Sequence, residues 1–403
     1  MIFVFYFFAA VLIFLGYKSL RGGICYLQFF RQELAKPESN FAPFASIIVP
    51  CRGLDQELRE NLTALFLQDY PNYEVIFVVD DKTDESVKII KEVSRQGAKK
   101  VESRCAVAGK ATDSSQKVHN LREAVLEVSG KSEIFVFVDS DARPNRHWLK
   151  NLIAPLQDEK VGCATGYRWF ISKRGGFSSE FRAVWNASIA SALGANQENN
   201  FCWGGSTAIR RETFEKLEMR EKWRGTLSDD FALTRRMQAA NLPIRFVPQC
   251  LTATIEDRTW RELLEFTTRQ MKITRVYAPT LWKASFVGSF LFTTIFWSGV
   301  LLLFFISGWH FWLTFVFIIV IFSLGAGKAH LRLTAVKLVL KDFEKELNRQ
   351  FLWQTTLWTI SPALYFYNCF RALLSRKILW RGIEYNLVSA TSTEILSDNG
   401  QIK

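Results

Sequence analysis

Histidine is scarce in this 403-residue chain. Four copies, scattered, exclude a histidine-based metal centre as the first reading, and His119 and His147 read as ordinary polar residues. Cysteine occurs seven times, at 25, 51, 105, 163, 202, 250 and 369, but no CxxC appears and the spacings are wide. An odd, unclustered set argues against a zinc site or a disulfide framework, and for reduced thiols in a cytoplasm-facing protein. No internal repeat or low-complexity tract is visible. Residues 1–17 carry no charge, so the basic n-region of a secretory signal is missing, as is a small-residue cleavage site. Lys and Arg give a net charge of +12 but are dispersed and lie partly beside apolar segments, which makes nucleic acid the weakest partner. An anionic membrane surface or an anionic substrate fits better.

What is abundant is apolar surface. Hydrophobic residues make up 49% of the chain, with 35 Phe and 13 Trp, the aromatic-rich habit of membrane proteins. Residues 1–17 read as an uncleaved anchor helix. Lys18, Arg21 and Arg31 follow it, so the positive-inside rule puts the N-terminus outside and the next domain in the cytoplasm. Residues 281–387 form a second membrane region. Within it, 286–324 is almost wholly apolar and broken at Ser307-Gly308-Trp309-His310, long enough for two spanning helices in a hairpin. Residues 328–347 are charged and amphipathic and are expected to lie on the membrane surface. Residues 351–374 are apolar enough to span, though Pro362 would kink or break them. Three spans after the domain would put the C-terminus outside, whereas Arg371, Arg376, Lys377 and Arg381 argue that it stays inside. A re-entrant segment bent at Pro362 satisfies the charges, leaving 388–403 as a cytoplasmic polar tail.

Between the membrane regions, 45–280 alternates short apolar runs with helical spacing. Ala45–Pro50, Tyr73–Val79 and Ile134–Val138 read as buried strands. Residues 55–69, 85–92, 117–128 and 148–156 read as helices. That alternation indicates an α/β domain with a mostly parallel, Rossmann-like sheet.

Acidic or basic clusters recur at the ends of these elements. The strand Ile134–Val138 stops in Asp139-Ser140-Asp141, and unpaired charge beside a core is costly. Ligands of open α/β sheets bind beyond the carboxyl ends of strands, where two such carboxylates can face a divalent cation that holds a diphosphate. The same residues also suit a simple turn and helix cap. Asp80-Asp81 closes Tyr73–Val79, where a carboxylate can bond a nucleobase or ribose hydroxyls; a turn with Lys82 and Thr83 fits equally. Asp229-Asp230 lies in Thr226-Leu227-Ser228-Asp229-Asp230-Phe231, which also reads as an N-cap followed by first-turn acids. Arg269-Gln270-Met271-Lys272 equally suits a basic face beside the membrane.

The order of these pieces, with Ser46-Ile47-Ile48-Val49-Pro50 before them, resembles the inverting family 2 glycosyltransferases. In detail it is similar to the ceramide glucosyltransferase branch. The resemblance covers about 45–280 and, more weakly, the tail through Trp380-Arg381-Gly382-Ile383-Glu384-Tyr385. It implies a GT-A type domain with transmembrane helices at both ends. It further implies a hexose, glucose first, moved from a UDP-sugar to the hydroxyl of a lipid such as ceramide, with Mn²⁺ or Mg²⁺ as cofactor. Asp81 with Asp80 would contact the uridine, and Asp141 would hold the metal with Asp139 as its partner at the ribose or diphosphate. Lys117 and Asn120 match a family position near the donor. Asp230 would be the general base, its pKa raised by burial beside Leu227 and Phe231. Arg269 and Lys272 match the (Q/R)xxRW motif beside the diphosphate. Trp203, Gly204 and Gly205, in Cys202-Trp203-Gly204-Gly205-Ser206, resemble the acceptor-side loop, with Asp229 on that side.

One motif departs from the family. Lys272-Ile273 stands where the family has Arg-Trp, which keeps the charge but loses the guanidinium fork and the aromatic platform. That argues against a processive polymer synthase, as does the single apolar segment before the domain. A polysaccharide synthase and a non-catalytic scaffold on a transferase fold are the competing readings. Oligomeric state is not legible.

Overall fold

The computed structural model describes residues 2–97 and 100–398, so the last five residues of the expected polar tail lie outside the described residues. The chain divides into two compact units, one made of 1–32, 171–191 and 257–375, the other of 33–170, 192–256 and 376–403.

The second unit holds a seven-stranded sheet. Its strands are β1 (Ala45–Pro50), β2 (Tyr73–Val79), β3 (Glu102–Val107), β4 (Ile134–Phe137), β5 (Cys163–Ile171), β6 (Thr207–Arg210) and β7 (Ile244–Ile255). The spatial order is β3-β2-β1-β4-β6-β5-β7. β1 pairs in parallel with β2 and β4, and β2 with β3, while β6 runs antiparallel to β4 and β5. Every residue of β1, β2 and β4 is buried, which is why these strands read as nearly continuous apolar runs, interrupted by Ser46 and Glu74. The helices Leu58–Leu65, Ser86–Gly97 and Gln116–Ala124 supply the crossovers. β3 is mostly exposed at the sheet edge and mixes Glu102, Ser103 and Arg104 with Cys105, so it carries no apolar run to detect. Phe135, Phe137, Phe214 and Trp223 anchor the core beneath β4 and β6.

Residues 377–398, expected partly as membrane region and partly as tail, form a three-stranded antiparallel sheet. Its strands are β8 (Lys377–Trp380), β9 (Ile383–Ser389) and β10 (Ser392–Asp398), in the order β10-β9-β8. It belongs to the same unit as the seven-stranded sheet: the buried Tyr385 hydroxyl accepts a 3.1 Å hydrogen bond from the Gln116 backbone N–H.

The other unit is helical. Three of its helices, Ile2–Leu34, Pro279–Leu302 and Gly308–Val339, are long and apolar enough to cross a membrane. Ala9, Phe296, Ile318 and Ile321 pack where they meet. The Tyr6 hydroxyl lies 2.9 Å from His310 Nδ1, so the start of the first helix and the hairpin turn share one end of this bundle. Of the segment 328–347, the part to Val339 continues the third helix, and Glu344–Thr356 begins after a short turn at Lys341–Phe343. After it come Glu344–Thr356 and Ser361–Leu374, with Pro362 in the first turn of the latter, where its missing N–H costs nothing. The α/β domain with a mostly parallel sheet and spanning-length helices near both ends is as the sequence indicated.

Candidate active site

The carboxyl ends of β1, β2 and β4 carry the polar residues, as sheet geometry favours. After β4 the chain turns at Asp139-Ser140-Asp141, closed by the Ala142 N–H donating to Asp139 O at 3.1 Å. Asn61 Nδ2 donates to Ser140 O at 3.2 Å, and Ser140 Oγ donates to Asp55 Oδ2 at 2.6 Å. The two aspartates therefore sit on a turn braced from below.

Lys117, in the first turn of Gln116–Ala124, spans the site. Its Nζ is 2.7 Å from Asp139 Oδ1 and 3.0 Å from Asp229 Oδ1. Burial alone would lower the Lys117 pKa, but Asp139, Asp229 and Asp230 together hold it above the usual lysine value. Asp139 is likewise disfavoured by burial, yet Lys117 and Arg168 hold its carboxyl below the usual range. Burial pushes Asp141 up to about 7, against the pull of Arg168 and with Asp139, Glu256 and Asp55 adding repulsion. Asp141 Oδ1 is buried without a hydrogen-bond partner among the described residues.

Asp229 and Asp230 open the helix Asp229–Ala239 as the first-turn acids that the sequence also allowed, while the hydroxyl of Ser228, at the N-cap, donates to Asp230 rather than capping the helix. Asp229 is buried, and burial pushes its carboxyl up to about 6 despite Lys117. Asp230 is half-buried. Its Oδ1 accepts from the Phe231 N–H at 2.7 Å and from Ser228 Oγ, leaving Oδ2 without a hydrogen bond among the described residues. Full burial thus falls on Asp229 rather than on Asp230. Gly204 is required by this packing: a Cβ there would sit 2.2 Å from Asp229 Oδ2 and 2.7 Å from Lys117 Nζ. A Cβ on Gly205 would meet the Trp203 ring at 2.2 Å, so the buried indole folds back over its own loop.

Two residues that sequence reasoning missed complete this side. Arg168 on β5 lies 3.5 Å from Asp141 and 3.8 Å from Asp139, its guanidinium 4.8 Å above the Trp203 ring. A lone arginine inside Cys163–Ile171, an otherwise buried strand, was the available signal. Asp55, which accepts from Ser140, lies in the loop between β1 and Leu58–Leu65 and had no such mark.

Asp80 is buried and paired with Arg52; burial raises its pKa while Arg52 opposes. Asp81 is exposed and accepts from the Thr83 N–H at 2.8 Å and Thr83 Oγ1 at 2.7 Å, which lowers its pKa. This is the turn that its sequence also allowed. Asn120 is buried and accepts from Gln116 Nε2 at 2.8 Å. Arg269 and Lys272 lie on Trp260–Tyr277 in the helical unit. Arg269 sits 5.5 Å from the Phe266 ring, partial burial and Arg371 lower the Lys272 pKa, and Ile273 is buried.

Among the described residues no three His, Cys, Asp or Glu side chains converge as a cation cage. An open site is a different matter. A buried carboxylate oxygen without a donor, beside a second aspartate on one turn, fits a cation that takes its other ligands from a diphosphate.

The description "Glycosyl transferase family 21" belongs to the family model that matches residues 7–393. "Probable glycosyltransferase YdaM" of Bacillus subtilis (strain 168) is 26% identical over 257 residues, 60% of this chain and 58% of that protein. "Ceramide glucosyltransferase 3" of Caenorhabditis elegans is 24% identical over 207 residues, 50% of this chain and 44% of that protein. The chain thus spans about half the length of these relatives. Among solved structures, the mannosyltransferase PcManGT from Pyrobaculum calidifontis, in complex with GDP-Man and Mn²⁺, aligns over 91% of this chain and 99% of its own. The TM-score is 0.45 and the identity 17%.

Proposed function

Since the chain belongs to glycosyl transferase family 21, we propose that it moves a hexose, glucose first, from a UDP-sugar to the hydroxyl of a membrane lipid such as ceramide. The observation that carries this reading is Lys117, whose one ammonium joins the Asp139-Ser140-Asp141 turn to the Asp229-Asp230 helix. Donor-side and acceptor-side carboxylates are thereby held in one polar cluster. Ceramide glucosyltransferases among the relatives support the choice of lipid, as do the three spanning-length helices.

Asp141 with Asp139 would hold Mn²⁺ or Mg²⁺. When bound, that cation supplies Lewis-acid charge at the diphosphate. Arg168, already 3.5 Å from Asp141, adds fixed positive charge beside the same turn. Asp80 and Asp81 are assigned to the uridine, and Arg269 and Lys272 to the diphosphate, from motif order. Asp230 takes the proton of the lipid hydroxyl on its unbonded Oδ2. As the hydroxyl oxygen bonds to the anomeric carbon, the carbon–oxygen bond to the diphosphate breaks and UDP leaves with the electron pair. Attack from the face opposite UDP inverts the anomeric centre. Trp203, Gly204 and Gly205 line the acceptor side, and the catalytic unit faces the cytoplasm, as Lys18, Arg21 and Arg31 indicate.

The test uses the full chain in nanodiscs, supplied with UDP-sugars and candidate lipids, with products separated by lipid chromatography and mass spectrometry. Asp230→Asn should abolish transfer while UDP binding with Mn²⁺ stays within about twofold. Asp141→Ala should weaken that metal-dependent binding. Substantial turnover by Asp230→Asn would remove the base assignment.

A further inference from the structure

β8 and β9 are joined by Trp380-Arg381-Gly382-Ile383, in which both central residues have positive φ, 51° at Arg381 and 79° at Gly382. A two-residue hairpin of this kind favours Asn, Asp or Gly at its first central position, because a longer side chain carries its Cβ into a crowded region. Glycine follows the preference at 382; arginine at 381 defies it. Strain of this sort persists where the surroundings use it.

The side chain supplies the use. Arg381 Nη2 donates to Asp55 Oδ1, and Nη1 donates to Arg52 O at 3.3 Å. Arg52 Nε donates back to Arg381 O at 3.1 Å, which pins the strained residue from both its backbone and its side chain. Asp55 is almost wholly buried, and a buried carboxylate needs a charged partner. Its other oxygen accepts the 2.6 Å hydrogen bond from Ser140, the central residue of the Asp139-Ser140-Asp141 turn. The Arg381 charge also acts on Asp141 and Glu256. An unbroken line of contacts therefore runs from a hairpin at the far end of the sequence to the turn that carries the donor-site aspartates.

We propose that Arg381 is a positioning residue of the donor site: through Asp55 and Ser140 it fixes the Asp139-Ser140-Asp141 turn in the orientation that receives a nucleoside diphosphate and its divalent cation. This rests on the reading of that turn as the donor site. It makes the C-terminal sheet part of the catalytic apparatus rather than a tail.

The turn itself furnishes a discriminating experiment. The fold is checked in the Arg381→Asn, Asp55→Asn double variant, which leaves no buried charge without its partner and should melt within a few degrees of wild type as the unliganded full chain in nanodiscs. Arg381→Asn alone gains a favoured turn residue but strands the Asp55 carboxylate. The same variant should raise the half-saturating UDP concentration, at fixed Mn²⁺, roughly tenfold, within the span of coupling between contacting residues. Arg381→Lys should recover part of that loss. Asp55→Asn should reproduce it, and the double variant should be no worse than either single one. UDP binding by Arg381→Asn within twofold of wild type, or losses that simply add in the double variant, would overturn the proposal. So would a fall of several degrees in the unliganded melting temperature of the double variant, which would mark the Arg381–Asp55 pair as fold-stabilising. A wild-type chain unresponsive to UDP with Mn²⁺ would instead sink the donor-site reading, and this inference with it.

Discussion

Asp229 and Asp230 are neighbours with different surroundings, and that difference has measurable consequences. Asp229 is buried and its carboxyl is raised from 3.8 to about 6, burial outweighing Lys117. A carboxyl raised on folding binds more protons in the folded state, so its contribution to stability falls as pH rises from about 4 through about 6 and then levels off. Relative to wild type, Asp229→Asn should lose that decline, a difference on the order of 1–3 kcal/mol across the interval. Urea unfolding at pH 4.5 and 6.5 measures it, and parallel curves would refute the burial argument. Gly204 allows a second test at this scale. With 2.2 Å between its would-be Cβ and Asp229 Oδ2, Gly204→Ala must displace the carboxylate, costing about 1–3 kcal/mol and most of the transfer activity. Activity near wild type would show that the Lys117–Asp229 pair is dispensable. Asp139, Asp141, Asp229 and Asp230 were legible in the sequence because a carboxylate closing an apolar run, or opening a helix, stands out. Arg52, Asp55 and Arg381 were not. Arg381 stood in the tail that resembles the family, but the role of each depends on a partner elsewhere in the chain.

Among the elements, the buried strands β1, β2 and β4 were readable because burial on both faces leaves a nearly continuous apolar string. β3 escaped because an edge strand needs no such string. The C-terminal strands escaped for another reason. Ile383, Tyr385 and Leu387 are buried in strict alternation, a strand signal, but they follow a long apolar segment that drew the reading toward membrane. Tyr385 provides the test at this scale. Its hydroxyl is the acceptor for the buried Gln116 N–H at the start of the helix bearing Lys117. Tyr385→Phe should leave that donor unsatisfied and destabilise the chain by about 1–3 kcal/mol, read by thermal unfolding. No change would mean that the sheet adds nothing to the Lys117 helix.

For the whole molecule, the hydrogen-bonded C-terminal sheet bears on a parity question that charge counting left open, and yields a prediction. Because β8–β10 and the seven-stranded sheet form one compact unit, 33–170 and 376–398 lie on one side of any membrane the chain crosses. Two spanning-length helices between them, Pro279–Leu302 and Gly308–Val339, satisfy that requirement. The pairing of Tyr6 with His310 puts the first helix's start and the hairpin turn together at one end. Single cysteines placed at exposed Trp309 and at exposed Glu394, in a background without the seven native ones, should therefore react with an impermeant maleimide from opposite faces of sealed vesicles. Labelling of both from one face would refute this topology.

The sequence by itself determined the class of fold, the membrane character and the acidic turns, because burial and charge leave local marks in the order of residues. Only the tertiary structure decided which charges neutralise which. Lys117 reaches both Asp139 and Asp229, Arg168 reaches Asp139 and Asp141, and Arg381 reaches Asp55. Such pairings join segments separated by up to more than three hundred residues, and electrostatic attraction depends on distance in space, which spacing along the chain does not encode.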